Sequence, residues 1–152
     1  MATRVADRAF VDTNVLLAAA DEDRAEHKAS IAMLEDWPAA GVALYTSGQV
    51  FREYLAVASR PAKLNGLGMS RHDAVSNIRQ LRSRLRQVEE TSKVTDRLLD
   101  LLDIVDCGGK QIHDANLVAT MLVHGVEVIV TSNVQDFARF SSFVRAIELQ
   151  TA

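Results

Sequence analysis

The 152-residue sequence predicts an α/β domain whose parallel sheet is covered by helices on both faces. Short runs rich in β-branched and aromatic residues, at 8–11, 42–46 and 126–130, read as strands. Segments of roughly 12–30 residues with helical spacing separate them, as the crossovers of a parallel sheet require. The composition, 48% apolar and 24% charged, suits one soluble globular domain over residues 1–152. No Ser/Gly/Pro-rich linker and no internal repeat interrupts it.

The strand 8–11 ends abruptly at Asp12-Thr13-Asn14, and Val15-Leu16-Leu17-Ala18 after those polar residues suits a helix. A second helix is expected over 24–37, with Ile31 and Leu34 at helical spacing and Pro38 as its stop. Strand 42–46 leads to Ser47, a reasonable cap for a helix over 48–60 with two apolar lines, Val50–Tyr54–Val57 and Phe51–Leu55–Ala58. Residues 61–68 read as a loop. Ser70 caps the next helix, in which Ile78, Leu81, Leu85 and Val88 repeat at i, i+3, i+7 and i+10. Thr91 or Ser92 opens a helix through Leu98, Leu102 and Val105 that Gly108-Gly109 ends. Residues 112–124 follow as a helix with Gly125 at its stop. Strand 126–130 comes next, and 144–149 adds an edge strand.

Several functional classes fall away. The single cysteine, Cys107, excludes an intramolecular disulfide framework and a four-cysteine zinc site. The longest early apolar run, 15–20, is far short of the roughly 20 residues a membrane helix needs, and the first eight residues carry no signal-peptide pattern. A cytoplasmic, reducing location is the expectation. Gly66-Leu67-Gly68 lacks the third glycine and preceding strand of a dinucleotide fingerprint, and no Gly-x-x-x-x-Gly-Lys-Ser/Thr loop exists. Asp12-Thr13-Asn14 lacks the second acid of an Asp-x-Asp phosphatase, and Cys107 has no neighbouring base.

Ligands of parallel sheets gather beyond the carboxyl ends of the strands, so Asp12 and Thr131-Ser132-Asn133 are natural pocket residues. Each acid near that edge also has a plain structural explanation. Asp12 suits a helix N-cap, Glu53 a salt bridge to Arg52 or Arg60, and Asp114 the N-terminal end of a helix dipole. Asn133 or Asp136 suits the cap of a short helix over Phe137 and Phe140. Together they are more telling. Strand–Asp12-Thr13-Asn14-Val15-Leu16-Leu17, Glu53 in a helix 41 residues on, Ile112-His113-Asp114-Ala115-Asn116-Leu117 and Val130-Thr131-Ser132-Asn133-Val134-Gln135-Asp136-Phe137 resemble the PIN domain, and within it the VapC-like ribonuclease toxins of toxin–antitoxin modules.

The resemblance implies a three-layer α/β/α sandwich with a central, mainly parallel sheet, and a Mg²⁺- or Mn²⁺-dependent endoribonuclease leaving a 5′-phosphate and a 3′-hydroxyl. The family's first three acids fall on Asp12, Glu53 and Asp114. Its fourth position, often acidic, reads Asn133 with Asp136 three residues on, which leaves the fourth ligand open between them. Such carboxylates suit the reaction because hard divalent cations cancel phosphodiester charge and acidify bound water, whereas the same acids without a cation repel one another. Asp12 is then the central ligand, Asp114 a second, and Glu53 the holder of water. Asn133 and Asp136 complete the shell, braced by Thr13, Asn14 and Thr131.

The formal charge of −3 conceals an asymmetry, with residues 60–97 at +5 and the rest at −8. Arg79, Arg82 and Arg86 fall on one stripe of the expected 70–88 helix, either a solvated face or a basic lip for RNA backbone, while Lys110 and His113, beside Asp114, either contact phosphate or are simply exposed near a helix start. The resemblance further implies an RNA substrate, a homodimer and a cognate antitoxin, with the helices at 24–37 and 48–60 as contact faces and no membrane. A housekeeping RNA-processing PIN nuclease and a non-catalytic RNA- or protein-binding PIN-like module are the alternatives.

Overall fold

Phe10, Val11, Ile129 and Val130 are each at most 1% exposed, so the two strands that carry them must lie between helical layers. The structure, a computed structural model, describes residues 6–149. Its strands are β1 (Arg8–Val11), β2 (Ala43–Ser47), β3 (Arg86–Val88), β4 (Val128–Thr131) and β5 (Arg145–Glu148). They form one sheet in the order β3-β2-β1-β4-β5, and every pairing is parallel. The helices are α1 (Thr13–Ala20), α2 (His27–Ala39), α3 (Gly48–Ser59), α4 (Arg71–Leu81), α5 (Ser92–Ile104) and α6 (Gln111–Val123), with 3-10 turns at Ala62–Leu64 and Val134–Phe140.

From β1 the chain steps outward to β2 and β3, then jumps back past β2 and β1 to β4 and β5. Right-handed crossovers taken in opposite directions place their helices on opposite faces. Accordingly α1 packs on α2 and α3, and α3 on α4, while α5 packs on α6. This is the expected α/β/α sandwich. The direction of winding reverses between β1 and β4, the point at which open parallel sheets form their ligand crevice.

Three expectations are corrected. The second helix begins at His27, not at residue 24, because the acidic stretch before it forms turns of its own. Asp23 donates its N–H to Asp21 Oδ1 at 3.1 Å and Arg24 pairs with Asp21 at 3.4 Å. Pro38 lies inside the last turn of α2 instead of beyond it, and the chain leaves through the Ala40 N–H bonded to the Asp36 and Trp37 carbonyls. The expected 70–88 helix is two elements. It ends at Leu81, turns with Ser83 Oγ donating to the Gln80 carbonyl at 2.6 Å, and Arg86–Val88 then pairs with Tyr45–Ser47 of β2. Ile78, in α4, and Leu85, in the bend before β3, face one core, so the helical spacing continued past the end of the helix. Arg79, Arg82 and Arg86 therefore share no helical stripe: Arg79 lies in α4, Arg82 caps it, and Arg86 opens β3 with its guanidinium 5.9 Å from the Tyr45 ring centre.

The other boundaries fall within two residues of expectation. Gly125, at φ +69°, takes the left-handed position that closes α6 at little cost for a residue without Cβ. Ser47 occupies the N-cap of α3 without a capping bond, and its hydroxyl, like that of Thr46, is buried with no partner among the described residues.

Candidate active site

Asp12 is the first residue past β1, and Thr131 is the last of β4. Their adjacency at the reversal point brings together side chains 119 residues apart, with Thr131 Oγ1 donating to Asp12 Oδ2 at 2.8 Å. Asn14 clamps the same junction. Its amide donates to Asp12 Oδ2 at 3.2 Å and to Thr131 Oγ1 at 3.1 Å, while its Oδ1 accepts the Ser132 N–H at 3.0 Å. Asn133 N–H also donates to Thr131 Oγ1, at 3.0 Å. Asp12 Oδ1 accepts the Thr13 N–H at 2.8 Å, the capping contact expected of an aspartate at this position.

Glu53 reaches this junction from α3. Its Oε2 accepts from Thr13 Oγ1 at 2.9 Å and its Oε1 from Gln49 Nε2 at 3.1 Å. The salt bridge to Arg52 or Arg60 is not formed; Arg52 pairs instead with Glu90 at 3.3 Å. Asp114, half-buried, enters from the opposite helical layer in the first turn of α6. Asp136 and Asn133 are exposed on and before the 3-10 turn after β4, and the Asn133 side chain makes no capping bond.

The carboxylates feel one another. Burial raises the Asp12 pKa above the ordinary 3.8, opposed by the Thr131 and Thr13 hydrogen bonds and reinforced by the charges of Glu53 and Asp136. Burial, then the charges of Asp136, Asp12 and Glu53, push Asp114 up to about 6, with Arg139 opposing. Among the described residues no basic side chain reaches ion-pair distance of Asp12, Glu53 or Asp114. The result is a concentration of negative charge at the carboxyl edge of the sheet, which Arg139 offsets only in part. All its donors are hard oxygens, the set that suits Mg²⁺ or Mn²⁺. No three acidic, histidine or cysteine side chains close into a preformed metal cage among the described residues.

A family model for the PIN domain matches residues 9–142. The chain belongs to the PIN domain family. Solved structures share this PIN fold along nearly their whole length. VapBC2 of Rickettsia felis, bound to a fragment of its promoter DNA, is 15% identical with a TM-score of 0.67, covering 94% of this chain and 99% of that one. A toxin–antitoxin complex from Klebsiella pneumoniae is 19% identical with a TM-score of 0.65, covering 95% and 99%. VapC20 of Mycobacterium tuberculosis, a toxin that cleaves the sarcin-ricin loop, is 19% identical with a TM-score of 0.63, covering 90% and 96%. No curated protein sequence matches the chain.

Sequence reasoning missed the amides of this PIN domain. Gln49 is 5% exposed and donates to the His113 carbonyl at 2.9 Å as well as to Glu53. Asn116 donates to Gln49 Oε1 at 2.7 Å and to Glu90 Oε1 at 2.6 Å. The available signal was Gln49 at i−4 from Glu53, on the same helical face. Lys110 is exposed at the N-cap of α6, one turn before Asp114. Arg86 is level with Tyr45, which pairs with Phe10, two residues short of Asp12 along the sheet.

Proposed function

We propose that this PIN domain is a Mg²⁺- or Mn²⁺-dependent endoribonuclease, the toxin of a toxin–antitoxin pair. The observation that carries the reading is the meeting of Asp12, Glu53, Asp114 and Asp136 at the winding reversal, with no basic side chain among the described residues at ion-pair distance of Asp12, Glu53 or Asp114 and only Arg139 offsetting the charge on Asp114. Burying such a charge is costly unless a cation arrives with the substrate or before it.

Asp12 and Asp114 would hold the cation directly, with Asp136 contributing charge from the solvent side and Asn133 a neutral carbonyl. A bound divalent ion supplies charge neutralisation at the phosphodiester and a more acidic water. Glu53 has both oxygens engaged by neutral donors, and each retains acceptor capacity to orient an attacking water. Thr13, Asn14 and Thr131 hold the carboxylates in place against their mutual repulsion. Lys110, exposed at the N-cap of α6, would contact a phosphate of the strand. Arg79, Arg82 and Arg86, spread over two elements, would act only as a diffuse basic field.

A crevice of about 650 Å³ between α1, α2, α3 and α4, lined by Leu16, Ile31, Leu34 and Leu81 but also by Asn77, Gln80 and Arg84, offers a mixed apolar and polar seat for an antitoxin segment. The R. felis and K. pneumoniae relatives are toxin–antitoxin complexes, which supports that partner here. A homodimer and a cytoplasmic location belong to the same reading; no helix among the described residues is long and apolar enough to cross a membrane.

The test is cleavage of a structured RNA by the purified protein. Cleavage should require Mg²⁺ or Mn²⁺, stop with EDTA and vanish in Asp12→Asn. Metal-independent cleavage, or full activity in Asp12→Asn, would overturn the reading, and RNA binding without cleavage would favour the non-catalytic module.

A further inference from the structure

Glu53 and Asp114 belong to opposite helical layers, so something must set their separation. One directed chain of hydrogen bonds spans that gap. Asn116 Nδ2 donates to Gln49 Oε1 at 2.7 Å, and Gln49 Nε2 donates both to Glu53 Oε1 at 3.1 Å and to the His113 carbonyl at 2.9 Å. Asn116 Nδ2 also donates to Glu90 Oε1 at 2.6 Å, and Arg52 holds Glu90 Oε2 at 3.3 Å. Every acceptor at the ends of the chain is a carboxylate or a backbone carbonyl, groups that only accept. Turning the Gln49 amide over would set its oxygen against the Glu53 carboxylate and the His113 carbonyl. Turning Asn116 over would set its oxygen against Glu90 and Gln49 Oε1. The direction of both amides is therefore determined, and the amide protons of each are divided between two acceptors.

We propose that Gln49, oriented by Asn116, is the positioning residue that fixes the Glu53 carboxylate relative to Asp114 and so sets the affinity of the site for its divalent ion. The proposal rests on the metal-dependent reading above. Gln49 touches neither the reacting atoms nor Asp114. It acts by aiming one oxygen of Glu53 and by tying α3 to the first turn of α6 through His113, one residue before Asp114. At 5% exposure it is enclosed enough that neither bond is readily replaced by water.

The experiment reads Mn²⁺ binding to the intact protein by electron paramagnetic resonance, without RNA and independently of cleavage. Gln49→Leu keeps the side-chain bulk in the buried position, and Asn116→Ala, at a half-buried position, leaves Gln49 in place but removes the donor that steadies its Oε1. Gln49→Leu should weaken Mn²⁺ binding about 10–100-fold, and Asn116→Ala less but in the same direction. In a Glu53→Gln background, Gln49→Leu should have little additional effect, because its influence passes through Glu53. Circular dichroism confirms that each variant is folded, and Asn116→Ala carries the test if Gln49→Leu is not. Unchanged Mn²⁺ affinity in the folded variants, or an undiminished Gln49→Leu effect in the Glu53→Gln background, would overturn the positioning role while leaving the nuclease reading intact. Absence of Mn²⁺ binding by the unaltered protein would overturn both.

Discussion

Asp114 shows what one carboxylate in this crevice contributes. Its pKa in the folded chain is raised to about 6 from 3.8, so between those values the native state holds a proton that the unfolded chain has released. The unfolded state then binds fewer protons, and the contribution of Asp114 to stability falls as pH rises through that window. Without metal, Asp114→Asn should be more stable than the parent at pH 7, and the difference should vanish near pH 4. Urea denaturation at the two pH values measures it. Activity has the opposite slope, because a cation requires the ionised form. Cleavage by the parent protein should rise as pH passes 6 at fixed Mg²⁺, and a flat profile from pH 5 to 8 would contradict that role for Asp114.

The junction of β1 with β4 depends on Thr131, fully buried, whose hydroxyl donates to Asp12 and accepts from Asn14 and the Asn133 N–H. Thr131→Val keeps the shape of the side chain and strands those polar groups. We expect a loss of about 2 kcal/mol in urea unfolding, with cleavage falling further because Asp12 loses its brace. The short edge strand β3 is a different case, held by three paired positions on β2 and by Leu85 beneath it. Leu85→Ala should cost about 2–5 kcal/mol, as for a core residue. Arg79→Ala, on the exposed face of α4, should cost nothing comparable.

For the molecule as a whole, stability should depend on a divalent ion under the proposed metal-dependent reading, because the ion relieves the repulsion among the four acids. Ligand binding to the native state alone adds about 1.4 kcal/mol at ten times its Kd. Mg²⁺ at that level should raise the Tm of the parent at pH 7, raise it less at pH 5 where Asp114 is protonated, and leave Asp12→Asn nearly unchanged. Differential scanning calorimetry with and without EDTA measures all three. The same charge concentration explains why the site lies where it does. Parallel strands wound outward from β1 in both directions leave their carboxyl ends uncovered only at the reversal, and Asp12 and Thr131 stand on its two sides.

Most of this architecture was legible in the amino-acid order, because local patterning and end signals are local physics. The buried β-branched runs of β1 and β4, the polar break at Asp12-Thr13-Asn14 and Gly125 after α6 each announce themselves within a few residues. The division of 70–88 into α4 and β3 was not legible, since Ile78 in α4 and Leu85 in the bend after it reach one core and a spacing cannot record a change of direction. The acids were visible as candidates one by one, and the resemblance joined them. The PIN assignment rests on the matched family, whereas their mutual repulsion arises only once distant segments are folded together. Gln49 and Asn116 stayed hidden for the same reason: a neutral amide carries no signal until its acceptors, here on α3, on α6 and after β3, are brought within hydrogen-bond reach by packing across both faces of the sheet.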